Sequence, residues 1–181
     1  MGKKGSIYER ELKGILSGDL STIEKFSRSL NEKEYYWYRS LISKPFMVVR
    51  AAGSLGVDLI AIREDFSFPI EVKSSSMPRI NFTHGSSRAQ EQAKHLMEEC
   101  KRTGVVALYA FRLKNYRGDP WRIFALPLEG IRGRMRYVYN VLPKISYTPQ
   151  GNFVLLWEKG MPLSKFISYL NLESDEDDVE D

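Results

Sequence analysis

Cysteine and histidine are almost missing from this chain. Of its 181 residues one is Cys and two are His. The lone Cys100 forms no internal disulfide, which suits a reducing compartment. With two His and one Cys, a zinc site is not expected. No apolar run approaches the roughly twenty residues of a membrane-spanning helix, and no apolar signal-peptide core lies near the start. A cytoplasmic chain with no membrane partner is therefore expected. Internal repeats are absent as well.

What is present is a soluble, core-forming composition with an uneven charge. Hydrophobic residues make up 43% of the chain, enough for one domain of this length to bury a real core. The net charge of +4 hides a division. Residues 173–181 hold seven acids and no base, so the rest of the chain sets 27 basic residues against 16 acidic ones, a net +11. Residues 1–172 thus read as one basic domain and 173–181 as a disordered acidic tail. A basic body fits DNA, RNA or an anionic membrane.

Three consecutive strands are expected at 47–49, 57–62 and 70–74, from β-branched residues bounded by turn residues. Period 2 puts Glu71 and Lys73 on one face of the third strand, and Ile70 and Val72 on the other. Pairing of the second and third strands brings Asp58 beside Glu71. Two carboxylates and an ammonium then share a small volume, a costly arrangement unless a cation sits between the acids. A hard ion such as Mg²⁺ suits two carboxylates, with Mn²⁺ able to substitute. The bland reading of Asp58, Glu71 and Lys73 is an exposed ion pair. Against it, both acids stand in apolar strand sequence, where an unpartnered carboxylate is expensive.

Four blocks occur in order: Gly5-Ser6-Ile7-Tyr8-Glu9-Arg10-Glu11-Leu12, Val48-Val49-Arg50-Ala51-Ala52-Gly53-Ser54, Val57-Asp58-Leu59-Ile60-Ala61 and Ile70-Glu71-Val72-Lys73. Together they resemble the archaeal Holliday junction resolvases, members of the restriction-endonuclease-like nuclease superfamily. The resemblance implies an α/β fold with a mixed central β-sheet flanked by helices. It also implies a magnesium-dependent endonuclease that nicks four-way DNA junctions as a homodimer, near the nucleoid, in recombination and repair. By the same resemblance Glu9 completes the acidic metal site of Asp58 and Glu71, and Ser54 matches a serine of the catalytic loop. Read from the residues alone, Glu9 is also a charge that compensates a helix start, and Ser54 a turn serine. Lys4, Arg10, Arg50, Arg79 and Arg122 are expected DNA contacts, Arg50 alternatively being a partner for one of the acids.

The remaining chain is read from periodicity. A helix is expected up to residue 16, ended by Gly18. Residues 19–46 form an insertion relative to the shorter family members, with helices expected over 22–31 and 32–43. A capping-box pattern, Ser21-Thr22-Ile23-Glu24, starts the first of them and Asn31 the second. Its aromatic run Tyr35-Tyr36-Trp37-Tyr38 either packs, through Tyr35, Tyr38 and Ile42, or stacks on unpaired bases. Packing is the favoured reading. Residues 77–85 read as loop, 86–102 as a helix with Gly104 as its stop, 105–113 and 121–126 as a hairpin. A strand at 152–157 and a helix at 162–172 follow. Gln150, Phe153, Leu156 and Trp157 sit at the spacing of a sliding-clamp-binding motif, although a core or interface strand fits them better. Phe153, Leu155, Trp157 and Phe166 are the candidate dimer surface. Two alternatives to the junction nuclease stand: a non-catalytic DNA-architecture module, and a nuclease for other branched or damaged DNA.

Overall fold

The computed structural model describes residues 4–51 and 56–176, with side chains described from Ile7 to Leu172. Helix α1 (Lys4–Leu16) leads into the insertion, which holds α2 (Leu20–Glu24) and α3 (Glu32–Ser40). Strands β1 (Met47–Arg50), β2 (Leu59–Ile62), β3 (Ser67–Ser75) and β4 (Arg79–Asn81) precede α4 (Arg88–Thr103). Then come β5 (Leu108–Leu113), β6 (Trp121–Ala125), α5 (Met135–Val141), β7 (Ser146–Tyr147), β8 (Phe153–Leu156), β9 (Met161–Pro162) and α6 (Leu163–Glu176).

Six strands form the central sheet in the order β1-β2-β3-β5-β6-β9. The β1-β2-β3 meander is antiparallel, β3 and β5 run parallel, and β6 returns antiparallel to β5 as the expected hairpin. A parallel pair needs a long crossover, and β4 with α4 supplies it. The sheet is mixed and flanked by helices, as expected. A second sheet, β4-β8-β7, packs beside it.

Alternation along the strands sorts the core into two faces. On one, Leu12 and Leu16 of α1 and Leu163 and Phe166 of α6 meet Phe68, Ile70 and Leu108. On the other, Tyr109 packs on Phe82 at 5.4 Å between ring centres, and Phe82 packs on Phe153 at 5.9 Å. Helix α4 turns Ala93, Leu96 and Cys100 inward, at the expected spacing. Gly104 ends it in the left-handed region, φ 75°, where a side chain is strained.

The insertion is part of the core. Asp19, not Ser21, caps α2, its Oδ2 accepting from the Thr22 N–H at 2.8 Å, so the Ser21-to-Glu24 pattern lies inside the helix. Asn31 and Glu34 do form a capping box. Both helices are shorter than the expected 22–31 and 32–43. Tyr38 is fully buried, Tyr35 is half-buried and Ile42 is exposed, so packing holds for the first two and not for Ile42. The Tyr38 hydroxyl donates to Asp119 at 2.8 Å. That carboxylate, itself buried, also accepts from the Trp121 and Ser164 N–H groups at 3.2 and 2.8 Å. One acid thus ties the insertion to β6 and α6.

Three further departures from the sequence reading have physical causes. Residues 77–85 contain β4, short because it pairs only with β8. Helix α5 was not expected, and it buries only Val138 and Tyr139, too few to give a periodic signal. Phe153, Leu155, Trp157 and Phe166 are 2%, 0%, 6% and 2% exposed. They fill the core and cannot be the expected dimer surface. The same burial withdraws Phe153 and Trp157 from the sliding-clamp motif. Helix α6 runs past the expected end at 172 to Glu176, and the rest of the acidic tail lies outside the described residues. Among the described residues no helix is long and apolar enough to cross a membrane.

Candidate active site

The loop before β2 and the second half of β3 build the site. Asp58 is clamped by backbone on both sides. Its N–H donates to the Ile70 carbonyl at 3.0 Å, and its carbonyl accepts from Ala51 at 2.9 Å. Its side chain then reaches across to β3, where Oδ2 accepts from the Val72 N–H at 2.8 Å. A carboxylate taking a backbone N–H inside a sheet is fixed in place. Glu71 projects from β3 beside Tyr109 of β5 and is 8% exposed. Lys73, two residues on and therefore on the same face, donates from Nζ to Glu71 Oε1 at 2.6 Å.

Charge is out of balance here. Burial pushes the Glu71 carboxyl up to about 7, the nearby Lys73 ammonium opposes that rise, and Asp58 adds to it. The Tyr109 hydroxyl is driven well above its usual range, by burial first and by Glu71 second. With both acids ionised, the site holds one more negative charge than the Lys73 ammonium offsets, which a cation would balance. Two hard oxygen donors fit Mg²⁺ or Mn²⁺, which take one or two protein carboxylates and complete their shell with water and phosphate oxygens. Asp58 Oδ2 is engaged by Val72 and Glu71 Oε1 by Lys73, and the two carboxyl groups also lie within hydrogen-bonding reach of each other.

The other expected site residues are distributed differently. Glu9 does not join Asp58 and Glu71. Among the described residues no three His, Cys, Asp or Glu gather into a metal-binding group. Helix α1 instead carries Glu9 to β1, where Oε2 accepts from Arg50 Nη2 at 2.7 Å. Arg50 is thus a partner for an acid, the second of its two expected roles, although its side chain remains half exposed. Ser54 lies outside the described residues, and so does the side chain of Lys4. Arg10 is exposed on α1. Arg79 is exposed on β4, its Nε donating to Asn81 at 2.9 Å. Arg122 is occupied within the protein. Its guanidinium lies 3.7 Å from the centre of the Trp157 ring and donates to the Asp119 and Trp121 carbonyls, and burial lowers its pKa. A cation stacked on a core indole serves packing before it serves a phosphate.

Sequence reading missed the surroundings of Lys73. An open cavity of about 470 Å³ runs from Lys73 past Ser75, Met77 and Arg79 to His84 and Ser86. Met77 is 66% exposed at its edge. Met77 and His84 belong to a stretch taken as plain loop, in which only Arg79 was singled out, as a DNA contact. Only the pairing of β4 with β8 brings them alongside β3.

No protein-family profile and no curated protein sequence matches the chain. Among solved structures, it is similar to Archaeoglobus fulgidus Hjc, a Holliday junction resolvase from an archaeal hyperthermophile. The identity is 17% and the TM-score 0.47, over 77% of this chain and 98% of that one.

Proposed function

We propose that the protein is a metal-dependent endodeoxyribonuclease that cuts branched DNA, with four-way junctions as its substrate. What supports this most is one feature: Glu71 buried against Asp58, with Lys73 bonded to it, at the third and fourth of the sequence blocks named above. An ion pair kept for stability alone has no need of the second acid, since burying charge beyond what is paired costs free energy. Ionisable groups held in such a state are the mark of a site. Asp58 and Glu71 would hold the magnesium ion. When bound, it supplies polarisation of a phosphoryl oxygen and acidifies a water. Lys73, free to rotate its ammonium from Glu71 towards the cavity, offsets charge on the phosphate under attack and positions the water. Arg79 steadies the strand along the cavity. Incubating four-way, flap and linear DNA with Mg²⁺ tests the reading. No cutting of any of them ends it, and cutting of flap or linear DNA in preference to the junction keeps the nuclease and removes the junction.

Lys73→Ala is expected to slow cleavage by more than about a hundredfold, the usual scale for a positioned proton-transfer or charge-offsetting group. Single-turnover rates at saturating DNA measure it. A change in affinity with no change in rate would reduce Lys73 to a phosphate anchor.

Two cuts in opposing strands call for two identical sites at fixed separation, and a two-fold dimer supplies them. With the C-terminal apolar residues buried, the surface offered to a second copy is the outer face of β1 and β2. Met47, Val49 and Ile62 are 68%, 47% and 42% exposed there. Met47 stands opposite Ile62, and Val49 opposite Ile60, so they form one contiguous apolar patch at an open sheet edge. Val49→Lys with Ile62→Lys is expected to convert a dimer into a monomer in sedimentation, with junction preference lost and duplex binding kept. A wild-type monomer would remove the paired-nick mechanism.

A further inference from the structure

Helix α2 of the insertion lies so close to α1 that a Cβ on Gly14 would stand 2.5 Å from Thr22 Oγ1. Asp19 pins Thr22 there, accepting from its N–H at 2.8 Å and its hydroxyl at 2.5 Å. The short loop after α2 and the end of β5 complete the walls of an open cleft of about 460 Å³. Arg10, Lys25 and Arg112 line it, together with Ser29 and Ile7. Among the described residues Glu11 is the one acid on these walls, and Arg112 and Trp121 both donate to its carboxylate, at 2.7 and 2.9 Å. The cleft therefore presents a net positive wall, with Lys25 exposed on it.

Its position matters as much as its charge. Arg112 stands opposite Ser74 in the β3–β5 register, one residue beyond Lys73. The cleft and the Lys73 cavity, which Ser74 also lines, thus meet at the same strand ends.

We infer that this cleft is a second phosphodiester subsite, one that holds the backbone of a nucleic-acid arm leading away from the phosphate being cut. The inference rests on the nuclease reading and extends it, because the insertion then contributes Lys25 to substrate binding. An open cleft of about 460 Å³ has room for more than a single small anion. Ile7, 56% exposed, adds an apolar surface that a sugar uses and an inorganic ion does not. Lys25 supplies a point charge for a phosphate.

The experiment is a salt titration of full-length protein on a labelled four-way junction, comparing wild type with Lys25→Ala and with Lys101→Ala, an exposed lysine on α4. Each phosphate contact removed lowers the slope of log K against log salt by about 0.9. Lys25→Ala is expected to lose about that much slope at unchanged melting temperature, and Lys101→Ala to follow wild type. Coincident titrations of Lys25→Ala and wild type would overturn the assignment. So would inorganic phosphate raising the melting temperature of wild type and not of Lys25→Ala while their DNA titrations coincide, which marks a small-anion site. Wild-type protein that binds no DNA at all would overturn the nuclease reading itself, and the subsite with it.

Discussion

Glu71→Gln is expected to abolish cleavage and, above pH 7, to make the folded protein more stable. Both effects come from one buried carboxylate. Removing a ligand of a divalent ion, as Asp58→Asn also does, forfeits several kcal/mol of transition-state stabilisation, about a thousandfold or more in rate. DNA affinity changes little, because it comes from many phosphate contacts elsewhere. Stability moves the other way. The folded carboxyl titrates at about 7, against 4.5 as its ordinary value. Between those values the folded state keeps a proton that the unfolded chain has lost, so wild-type stability falls as pH rises through that window. The loss is complete above about pH 7 and amounts to about 3 kcal/mol. Its size is little reduced by solvent, since the side chain is 11% exposed. Glutamine carries no charge to bury, so the variant gains on wild type from pH 4.5 to 7.5 in denaturant melts without metal. Equal cleavage rates for wild type, Glu71→Gln and Asp58→Asn in Mg²⁺ would sink the site. A pH-independent stability difference would mean that Glu71 is not desolvated.

The second large effect concerns Asp119. Asp119→Ala strands three buried donors at once: the Tyr38 hydroxyl and the Trp121 and Ser164 N–H groups. Each orphaned buried group costs about 1–3 kcal/mol, so a loss of about 4 kcal/mol or more is expected. That is a large part of the roughly 5–15 kcal/mol that holds a domain folded. Tyr38→Phe removes one bond and leaves the carboxylate its two backbone donors, so it should cost about 1–2 kcal/mol. At 2–4 °C per kcal/mol for this chain length, thermal melts separate the two variants easily. An Asp119→Ala protein within 1 kcal/mol of wild type would show that the insertion is hung on the surface and not tied to β6 and α6.

The pairing of Asp58 with Glu71 and Lys73 was legible in the sequence because it depends on local rules. A strand sends residues 71 and 73 to one face whatever surrounds it, and a short connection between two strands brings Asp58 back to β3. The face of α4 and its stop at Gly104 follow from periodicity and from backbone sterics in the same way. The mixed sheet followed from the four ordered blocks and not from periodicity, which says nothing about strand order.

What lay beyond the sequence depends on contacts between segments far apart in the chain. Phe153, Leu155, Trp157 and Phe166 are apolar whether they face a partner or a core, and only the closure of β8 and α6 onto the body makes them core. Arg50 and Arg122 carry the same charge, yet one pairs with Glu9 across 41 positions and the other stacks on Trp157. Arg10, Thr22, Lys25 and Arg112 come from α1, α2, the loop after it and β5, and their meeting in one basic cleft is set by how closely α2 rests on α1. Composition and spacing decide which side chains a segment shows on each face. Tertiary packing decides which of those faces meets solvent, and that is the property on which a binding surface depends.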